Sequence, residues 1–464
     1  MYPKLASDLA DIDALLERTR RLALEGLSSL DRRPAALAPP PVTSVPLPEE
    51  GIGLAGALEA FSTRWAPGFS GSAGPRYLGF VTGGATPASV AGDWLTSAYD
   101  QNPTAGIDSS APDLERETVG YLRQLFGLSS AQQGVLVSGA TMSNLVGLAI
   151  GREWIGERRD VRVSEQGVAA LGPVTVLGGT THSSIYKTLG VLGLGRKAVK
   201  KVATQPGREA VDLAALEAAL ADLRGEPAIV TASAGTVNTV DFDDLVAIGA
   251  LRERYPFWLH VDAAFGAFAA LSPAHAGLTA GLDAADSICI DLHKWLNVPY
   301  DAAVQFTRRR DLQVRIFQNS SAYLGVPTDN PDFVHLTPEN SRRLRAIATW
   351  FALTAYGRAG HAEIVERNIR LAQRLGHRVA EQPGLKLLGP TRLNVVCFTL
   401  ADNPTEERIN AYMKSNRDRG DVFITTTVHE GTWGLRVAFC NWRTTEADVD
   451  RVFESLVASL NFGS

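Results

Sequence analysis

Short apolar runs alternate with segments of helical spacing along the middle of the chain. The runs GVLVSG, VTVLGG and AIVTASAG are each followed by a stretch whose apolar residues recur at helical intervals, and two further runs are FWLHVDAA and DSICIDL. Strands that alternate with helices predict an α/β domain built on a mostly parallel sheet. Ligands of such sheets bind beyond the carboxyl ends of the strands, so we expect the functional residues there.

The two ends of the chain carry different patterns. Residues 4–31 have apolar residues at roughly helical spacing, which predicts a helix, whereas the following RRPAALAPPPVTSVPLPEE is too rich in proline to continue it. A long helical stretch begins near residue 341, and short strands and helices follow. We therefore predict an N-terminal helix and proline-rich arm over 1–70, a large domain over 71–340 and a small α+β domain over 341–464.

Composition narrows the class of protein further. The 464 residues carry a formal net charge of −5, and no basic excess suggests nucleic acid binding. The first residues are charged and no long apolar run follows, so we expect no membrane span and a cytoplasmic setting. The three cysteines, Cys289, Cys397 and Cys440, lack metal-ligand spacing, and we predict no metal site.

A candidate anion site follows the first of the apolar runs. In VSGATMSN the strand ends in Gly139, Ala140 and Thr141, and a helix begins there. Free backbone N–H groups and the helix dipole favour an anion such as a phosphate at that point. An ordinary capped strand–helix turn explains the same residues.

Three polar residues stand at the ends of other strands. Asp262 would need a partner for its charge if buried, and a protonated ring nitrogen would supply one, with Ala264 leaving a flat surface beside the ring. His182 can stack on a flat heterocycle. Lys294 in DLHKW can form a Schiff base with an aldehyde, and His293 beside it can contact phosphate. Taken singly, each has a structural explanation: a capping aspartate, a structural histidine and a surface lysine. Together they describe a pyridoxal phosphate site.

The sequence resembles the group II pyridoxal-phosphate-dependent amino acid decarboxylases, the family of the glutamate, aromatic amino acid and cysteine sulfinate decarboxylases. The resemblance covers most of the chain and rests on GPRYLGF, AGDWLTS, SGATMSN, THSSIYK, ASAGTVN, HVDAAFG, ADSICIDLHKW, SRRLRAIATWFALTAYGRAG and LRVAFCN. It implies the α/β fold of aspartate aminotransferase (fold type I), with a large, mostly parallel seven-stranded sheet and a small α+β domain. It also implies a homodimer whose N-terminal arm wraps the partner.

The same resemblance implies residue roles. Lys294 would carry the cofactor, Asp262 would pair with the pyridine nitrogen, and His182 would stack on the ring. Ala140, Thr141 and His293 would hold phosphate, and Thr236 would lie near the ring substituents. Arg436 would bind the substrate α-carboxylate, although a strand arginine in a surface ion pair is the alternative.

Some positions depart from the family pattern. Phe333 stands where many relatives carry a loop tyrosine, contributed across the dimer, that protonates the carbanion, and His335 would be the substitute. A phenylalanine there would favour oxidative decarboxylation to an aldehyde, unless Phe333 is a packing residue in a misaligned loop. Tyr323 belongs to an upstream segment in this alignment. Asp291 stands where many relatives carry a neutral asparagine near the phosphate.

The substrate and the activity leave alternatives open. The resemblance around AGDWLTS leans toward the glutamate and cysteine sulfinate branch. Phe80, however, lies where relatives line the side-chain pocket, which shows no basic group for a second carboxylate, and Arg76 nearby can be structural. The leading hypothesis is decarboxylation of an L-amino acid to an amine. Oxidative decarboxylation to an aldehyde is the alternative, and a scaffold that keeps the fold without catalysis is a third.

Overall fold

A seven-stranded sheet forms the centre of the computed structural model, which describes residues 1–319 and 330–461. Its strands are β1 (Gln133–Val137), β2 (Val176–Gly178), β3 (Val199–Lys201), β4 (Ala228–Ser233), β5 (Phe257–Asp262), β6 (Ser287–Asp291) and β7 (Ala303–Thr307). They lie in the order β1-β7-β6-β5-β4-β2-β3. Of the seven, β7 runs antiparallel to its neighbours, and the others run parallel to one another. The predicted, mostly parallel sheet is confirmed.

The apolar runs became central strands because helices cover both faces of the sheet. The first five residues of β4 and of β5 are buried in succession, without the alternation of a half-exposed strand. Trp258 in β5 is fully buried and packs near Trp154 on one face, while Phe257 and Leu259 belong to the core on the other face. The apolar runs of the sequence did not identify β3 and β7, because β3 is short and partly exposed and β7 follows β6 after only the four-residue helix α12.

Helices make up most of the remaining chain. They are α1 (Pro3–Ala10), α2 (Ile12–Ser28), α3 (Gly53–Arg64), α4 (Pro87–Tyr99), α5 (Ala111–Leu125), α6 (Ala140–Arg158), α7 (Val163–Gln166), α8 (Val168–Leu171), α9 (Ser183–Val191), α10 (Leu213–Ala221), α11 (Leu245–Ala250), α12 (Leu292–Trp295), α13 (Arg310–Phe317), α14 (Ala346–Glu381), α15 (Glu406–Arg419) and α16 (Glu446–Ala458). Short 3-10 helices lie at Ala66–Gly68, Arg196–Ala198, Leu251–Glu253, Gly266–Leu271, Ala276–Thr279, Leu282–Ala284, Phe333–His335 and Ser459–Asn461. Within the described residues, none of these helices combines the length and the apolar character that crossing a bilayer requires.

A second sheet forms the C-terminal part of the structure. Its antiparallel strands, in the order β10-β11-β9-β8, are β8 (Leu385–Leu387), β9 (Val395–Leu400), β10 (Thr425–His429) and β11 (Thr432–Ala438). Leu78, far earlier in the chain, is buried in the core of this part, and its N–H donates to the carbonyl of Phe423 at 2.9 Å. The segment around Leu78 therefore ties the predicted large domain to the small one.

The N-terminal helix predicted over 4–31 is two helices, separated at Asp11. Neither α1 nor α2 buries a residue fully; Leu5, Leu9 and Leu16 are exposed, and Leu15 and Leu22 are half-buried. The proline-rich stretch that follows has no helix or strand, as its composition predicts.

Candidate active site

The carboxyl ends of five parallel strands open onto one cavity. The residues that follow β1, β2, β4, β5 and β6 line a space of about 610 Å³, and Thr427, Val428 and Arg436 from the C-terminal sheet complete its wall. The sequence-predicted site residues that line it are Gly139, Ala140, Thr141, His182, Thr236, Asp262, Ala264, His293, Lys294 and Arg436. Segments far apart in sequence thus meet in one place because their strands share an orientation.

The start of α6 presents backbone donors to the cavity. Gly139 precedes the helix and Ala140 is its first residue, so the N–H groups of the first turn have no acceptor inside the helix. The N–H of Ala140 donates to a carboxylate oxygen of Asp291 at 3.1 Å, and Thr141 is exposed toward the cavity. This end of a 19-residue helix therefore favours negative charge.

Asp262 ends β5 and is held by two donors. The side-chain amide of Asn144 donates to its Oδ2 at 3.1 Å, and the N–H of Ala264 donates to its Oδ1 at 3.2 Å. These bonds fix the carboxylate at the cavity wall, where it can accept a hydrogen bond from a protonated nitrogen.

His182 caps the start of α9 with its ring at the cavity. Its Nδ1 accepts the N–H of Ser184 at 3.2 Å and lies 2.8 Å from the hydroxyl of the same residue. The ring is exposed toward the cavity, yet the surrounding protein atoms lower the pKa of His182 from its usual value by desolvation. A ring that accepts at Nδ1 and has a lowered pKa is neutral at pH 7, which suits stacking on a flat ring.

A buried chain of polar side chains supports these two residues. Asn144 also donates to Ser184 at 3.1 Å, and its carbonyl oxygen lies 2.9 Å from Nε2 of His260. Nδ1 of His260 lies 2.8 Å from the hydroxyl of Ser287, and burial lowers the pKa of His260 to about 4. Sequence reasoning missed this chain; the signal was polar residues inside otherwise apolar runs.

Lys294 lies in the short helix α12, directly after β6. Its Nζ is 3.2 Å from Oδ2 of Asp291 and 5.6 Å from the ring centre of Phe265. Burial acts to lower the pKa of Lys294, but the carboxylates of Asp291 and Asp262 outweigh it, so the pKa is raised. Gly83 lies so close to this turn that a Cβ there would clash with the carbonyl oxygen of Lys294.

Thr236 is engaged by a buried acid that the sequence did not reveal. Its hydroxyl donates to Glu209 at 2.5 Å and accepts the N–H of Asp241 at 2.9 Å. Glu209 also accepts from Asn238 and Thr239, which fixes the whole turn at the cavity wall.

Arg436 reaches the same turn from β11. Its Nη1 donates to the carbonyl of Val237 at 2.7 Å, and the residue lines the cavity. Its Nε is buried without a hydrogen-bond partner among the described residues. Burial lowers the pKa of Arg436 from its usual value. The contact fixes the guanidinium at the cavity, and within the described residues no surface ion pair accounts for it.

Three predicted residues do not line the cavity within the described part of the chain. Phe80 is exposed and lies 5.5 Å from the ring of Phe423. Phe333 is 3% exposed, with the guanidinium groups of Arg116 and Arg342 each 5.4 Å from its ring. Phe333 thus occupies the packing position that was the alternative to a loop position, and a role in a partner's site stays a prediction.

His335 is also buried, and its Nδ1 accepts the N–H of Asn319 at 3.1 Å. This bond ties the residue to its own chain, and its proposed substitution for a tyrosine stays a prediction. Tyr323 lies outside the described residues.

The donors and acceptors of the cavity fit pyridoxal phosphate. The start of α6 and His293 can hold a phosphate, the carboxylate of Asp262 suits a protonated ring nitrogen, and Lys294 supplies a primary amine for the aldehyde. Nδ1 of His293 is buried without a hydrogen-bond partner among the described residues.

Comparison with known proteins gives one consistent result. The family model described as the pyridoxal-dependent decarboxylase conserved domain matches residues 48–401. An aromatic-L-amino-acid decarboxylase of Bacillus atrophaeus is 27% identical over 83% of this chain and 81% of its own. A 3,4-dihydroxyphenylacetaldehyde synthase of Drosophila melanogaster is 25% identical over 89% of this chain and 84% of its own.

The fold is shared with solved structures as well. The Oryza sativa TDC, solved with PLP and tryptamine, superposes with a TM-score of 0.88 at 22% identity and covers 97% of this chain and 98% of its own. The expected fold, a large, mostly parallel sheet with a small antiparallel one, is confirmed by this likeness.

Proposed function

Because the chain belongs to the pyridoxal-dependent decarboxylase family, we propose that it removes the α-carboxyl group of an L-amino acid as carbon dioxide and releases an amine. The observation that carries the proposal is the meeting of Lys294, Asp262, His182 and the start of α6 around one cavity. Pyridoxal phosphate supplies an electron sink for the carbanion left when carbon dioxide departs. Lys294 is the residue that would bind its aldehyde.

Asp262 supports that electron sink by holding a proton on the ring nitrogen. Its two hydrogen-bond donors, Asn144 and the N–H of Ala264, hold the carboxylate in a fixed orientation. His182 would lie against the ring face, and Thr236 would lie at its edge, with its hydroxyl proton directed to Glu209. A hydroxyl that donates to Glu209 has only lone pairs left for the cavity, so it would accept rather than donate there.

Arg436 would bind the α-carboxylate of the substrate. Its contact with Val237 leaves further N–H groups for a carboxylate in the cavity. With Lys294 committed to the cofactor, Arg436 is the strong cation left among the described residues that line the cavity. A second carboxylate on the substrate would lack a cationic partner among the described residues that line the cavity, so we infer that the substrate has an aromatic or aliphatic side chain.

An aldehyde-forming reaction is the second candidate. The similarity to a 3,4-dihydroxyphenylacetaldehyde synthase of Drosophila melanogaster is compatible with it. Phe333, whose side chain cannot donate a proton, suggests this reaction in the sequence, but in its own chain it is buried beside Arg116 and Arg342 and does not line the cavity. Amine formation is therefore the leading proposal.

The experiment is a substrate panel with product identification. Purified protein loaded with pyridoxal phosphate should show an absorbance band near the visible edge and convert an aromatic or aliphatic L-amino acid to amine and carbon dioxide in equal amounts. Lys294→Ala should abolish the band and the turnover, whereas Lys187→Ala, an exposed lysine on α9, should keep both. Aldehyde and peroxide in place of amine would replace this proposal with the second one, and a band that survives Lys294→Ala would overturn both.

We also propose that the protein is a homodimer. In the described part of the chain, most of the large apolar side chains that are exposed lie within the first 69 residues. Exposed apolar residues in such number mark an interaction surface. The leucines of α1 and α2 would then be buried against the partner subunit.

A further inference from the structure

Asp291 takes up the donors that the proposed site needs for a phosphate. It ends β6 and is 2% exposed, and its N–H donates to the carbonyl of Ala264 at 2.8 Å. Its Oδ1 accepts the N–H of Ala140 at 3.1 Å, and its Oδ2 is 3.2 Å from Nε2 of His293. The same oxygen is 3.2 Å from Nζ of Lys294.

The carboxylate is ionised in this setting. Burial acts to raise the pKa of Asp291, but the nearby charges of Lys294 and His293 outweigh it, and the pKa is lowered. Asp291 is therefore an anion held at the same helix start that would receive a phosphate. Two anions compete for shared donors and repel each other at contact distance in a buried site.

We propose that Asp291 is an internal anion that competes with the cofactor's phosphate for the donors Ala140 and His293, and so weakens the binding of pyridoxal phosphate. The inference rests on the proposed placement of the phosphate at the start of α6. It gives the chain a residue that sets cofactor affinity without touching the substrate. Removing the charge while keeping the shape should release both donors.

The test compares two ligands that differ by the phosphate alone. Cofactor-free wild type and Asp291→Asn are titrated with pyridoxal 5′-phosphate and with pyridoxal, following the quenching of tryptophan fluorescence. The dissociation constant for pyridoxal divided by that for pyridoxal 5′-phosphate measures the preference for the phosphate. This ratio separates the contribution of the phosphate from any effect on Lys294. We expect Asp291→Asn to raise this ratio by about tenfold or more, because the phosphate gains donors and loses a like charge.

Asp243→Asn is the matched control. Asp243 is also buried and also accepts backbone N–H groups, from Val211 and Ser233, but it does not line the cavity. Its variant should leave the ratio unchanged. Inorganic phosphate should raise the melting temperature of Asp291→Asn more than that of the wild type.

An unchanged or lower ratio in Asp291→Asn would overturn this inference alone. If neither protein binds pyridoxal phosphate, the proposed function fails and the inference fails with it. If Asp291→Asn does not fold, the titrations of the wild type test the inference. A wild type that binds pyridoxal 5′-phosphate about a thousandfold more tightly than pyridoxal would contradict it, because Asp291 would then not compete for the phosphate donors. A wild-type preference for pyridoxal 5′-phosphate well below that value supports competition by the carboxylate of Asp291.

Discussion

At the scale of single residues, Asn144 connects two polar groups of the cavity wall, the carboxylate of Asp262 and the ring of His182. One side-chain amide contacts the carboxylate of Asp262, the hydroxyl of Ser184 and the ring of His260. Ser184 in turn bonds Nδ1 of His182. Both the orientation of the carboxylate and the tautomer of the histidine therefore depend on this buried amide.

Asn144→Ala should lose both stability and cofactor affinity. The variant leaves the buried Asp262 with one donor fewer, so we expect a loss of about 1–3 kcal/mol in the free energy of unfolding. Affinity for pyridoxal phosphate should fall by about tenfold, since the carboxylate loses its fixed orientation. Denaturant unfolding and a cofactor titration measure the two effects.

Asn416→Ala is the matched control for that variant. Asn416 is also fully buried and bonded, to Tyr412 and Ser455, but it lies on α15 in the C-terminal part. The Asn416→Ala variant should have a lower free energy of unfolding than the wild type and the same affinity for pyridoxal phosphate. Equal losses of affinity in both variants would mean that Asn144 acts through general stability.

The sequence located the residues whose chemistry is unusual for their setting. Lys294, Asp262 and His182 follow apolar runs, and a charged or polar group at a strand end is visible in one dimension. Asn144 and Glu209 could not be identified from the sequence, because their roles depend on hydrogen bonds to residues far away in the chain, Asp262 and Thr236. The match of Phe333 to a loop tyrosine rests on alignment through a segment without periodicity, and its role stays a prediction.

At the scale of elements, α14 is two helices joined at Gly357. The residue has φ 57° and ψ −173°, a conformation essentially restricted to glycine. A Cβ at this position would meet nothing within 4 Å, so the requirement is one of backbone geometry alone. Sequence periodicity continues across the break, which explains why one long helix was predicted.

Gly357→Ala should destabilise the protein by about 1–3 kcal/mol through backbone strain. Gly120→Ala is the control, because Gly120 lies inside α5 with ordinary helical geometry and also has open space around its Cβ position. That variant should be neutral or more stable by up to about 1 kcal/mol. Melting temperatures separate the two, and a neutral Gly357→Ala would contradict the strain argument.

Glu209 joins two elements that belong to different sheets. It accepts from the turn after β4, and its Oε1 lies 3.5 Å from Nδ1 of His429 at the end of β10. Burial acts to raise the pKa of Glu209, but hydrogen bonds from His429, Thr236 and Thr239 outweigh it and lower the pKa to about 2. The ionised acid therefore stabilises the contact between the sheets.

Glu209→Gln should lower the free energy of unfolding by about 2–3 kcal/mol at pH 7. The stabilisation is complete above the unfolded pKa of 4.5 and is lost as the pH falls toward about 2. The difference between wild type and variant should therefore shrink over that range in urea unfolding. Glu363→Gln, in an exposed pair with Arg367, should show little difference at any pH.

At the scale of the whole molecule, the N-terminal helices lie on the surface with several of their large apolar residues exposed. Leu9 and Leu16 are 59% and 57% exposed. Nothing else in the described chain covers them fully, and exposed leucines at helical spacing are typical of a surface that binds another helix. The molecule as described is therefore half of the proposed assembly.

The double variant Leu9→Glu, Leu16→Glu should shift the protein from dimer to monomer in sedimentation velocity. Charge at a buried apolar interface costs desolvation without a partner. Val246→Glu is the control, because Val246 is 58% exposed on α11, outside the N-terminal surface. A wild type that sediments as a monomer would contradict the homodimer.

The fold class was predictable because each central strand has its own apolar run. The order of the strands was not, since pairings such as Gln133 with Thr307 join distant segments. The antiparallel β7 and the tie between Leu78 and the C-terminal core depend on the same long-range contacts. Local patterns specify which segments become strands, and tertiary packing selects their neighbours.

The assembly of the cavity from five strand ends has a consequence for how the protein folds. Contacts of high sequence separation form slowly, because loop closure must precede the gain from pairing. The cavity exists only when the whole sheet has formed, so a ligand of the cavity can bind only the completed fold. Such a ligand cannot affect the early steps of folding. It stabilises the native state against unfolding by binding only to that state.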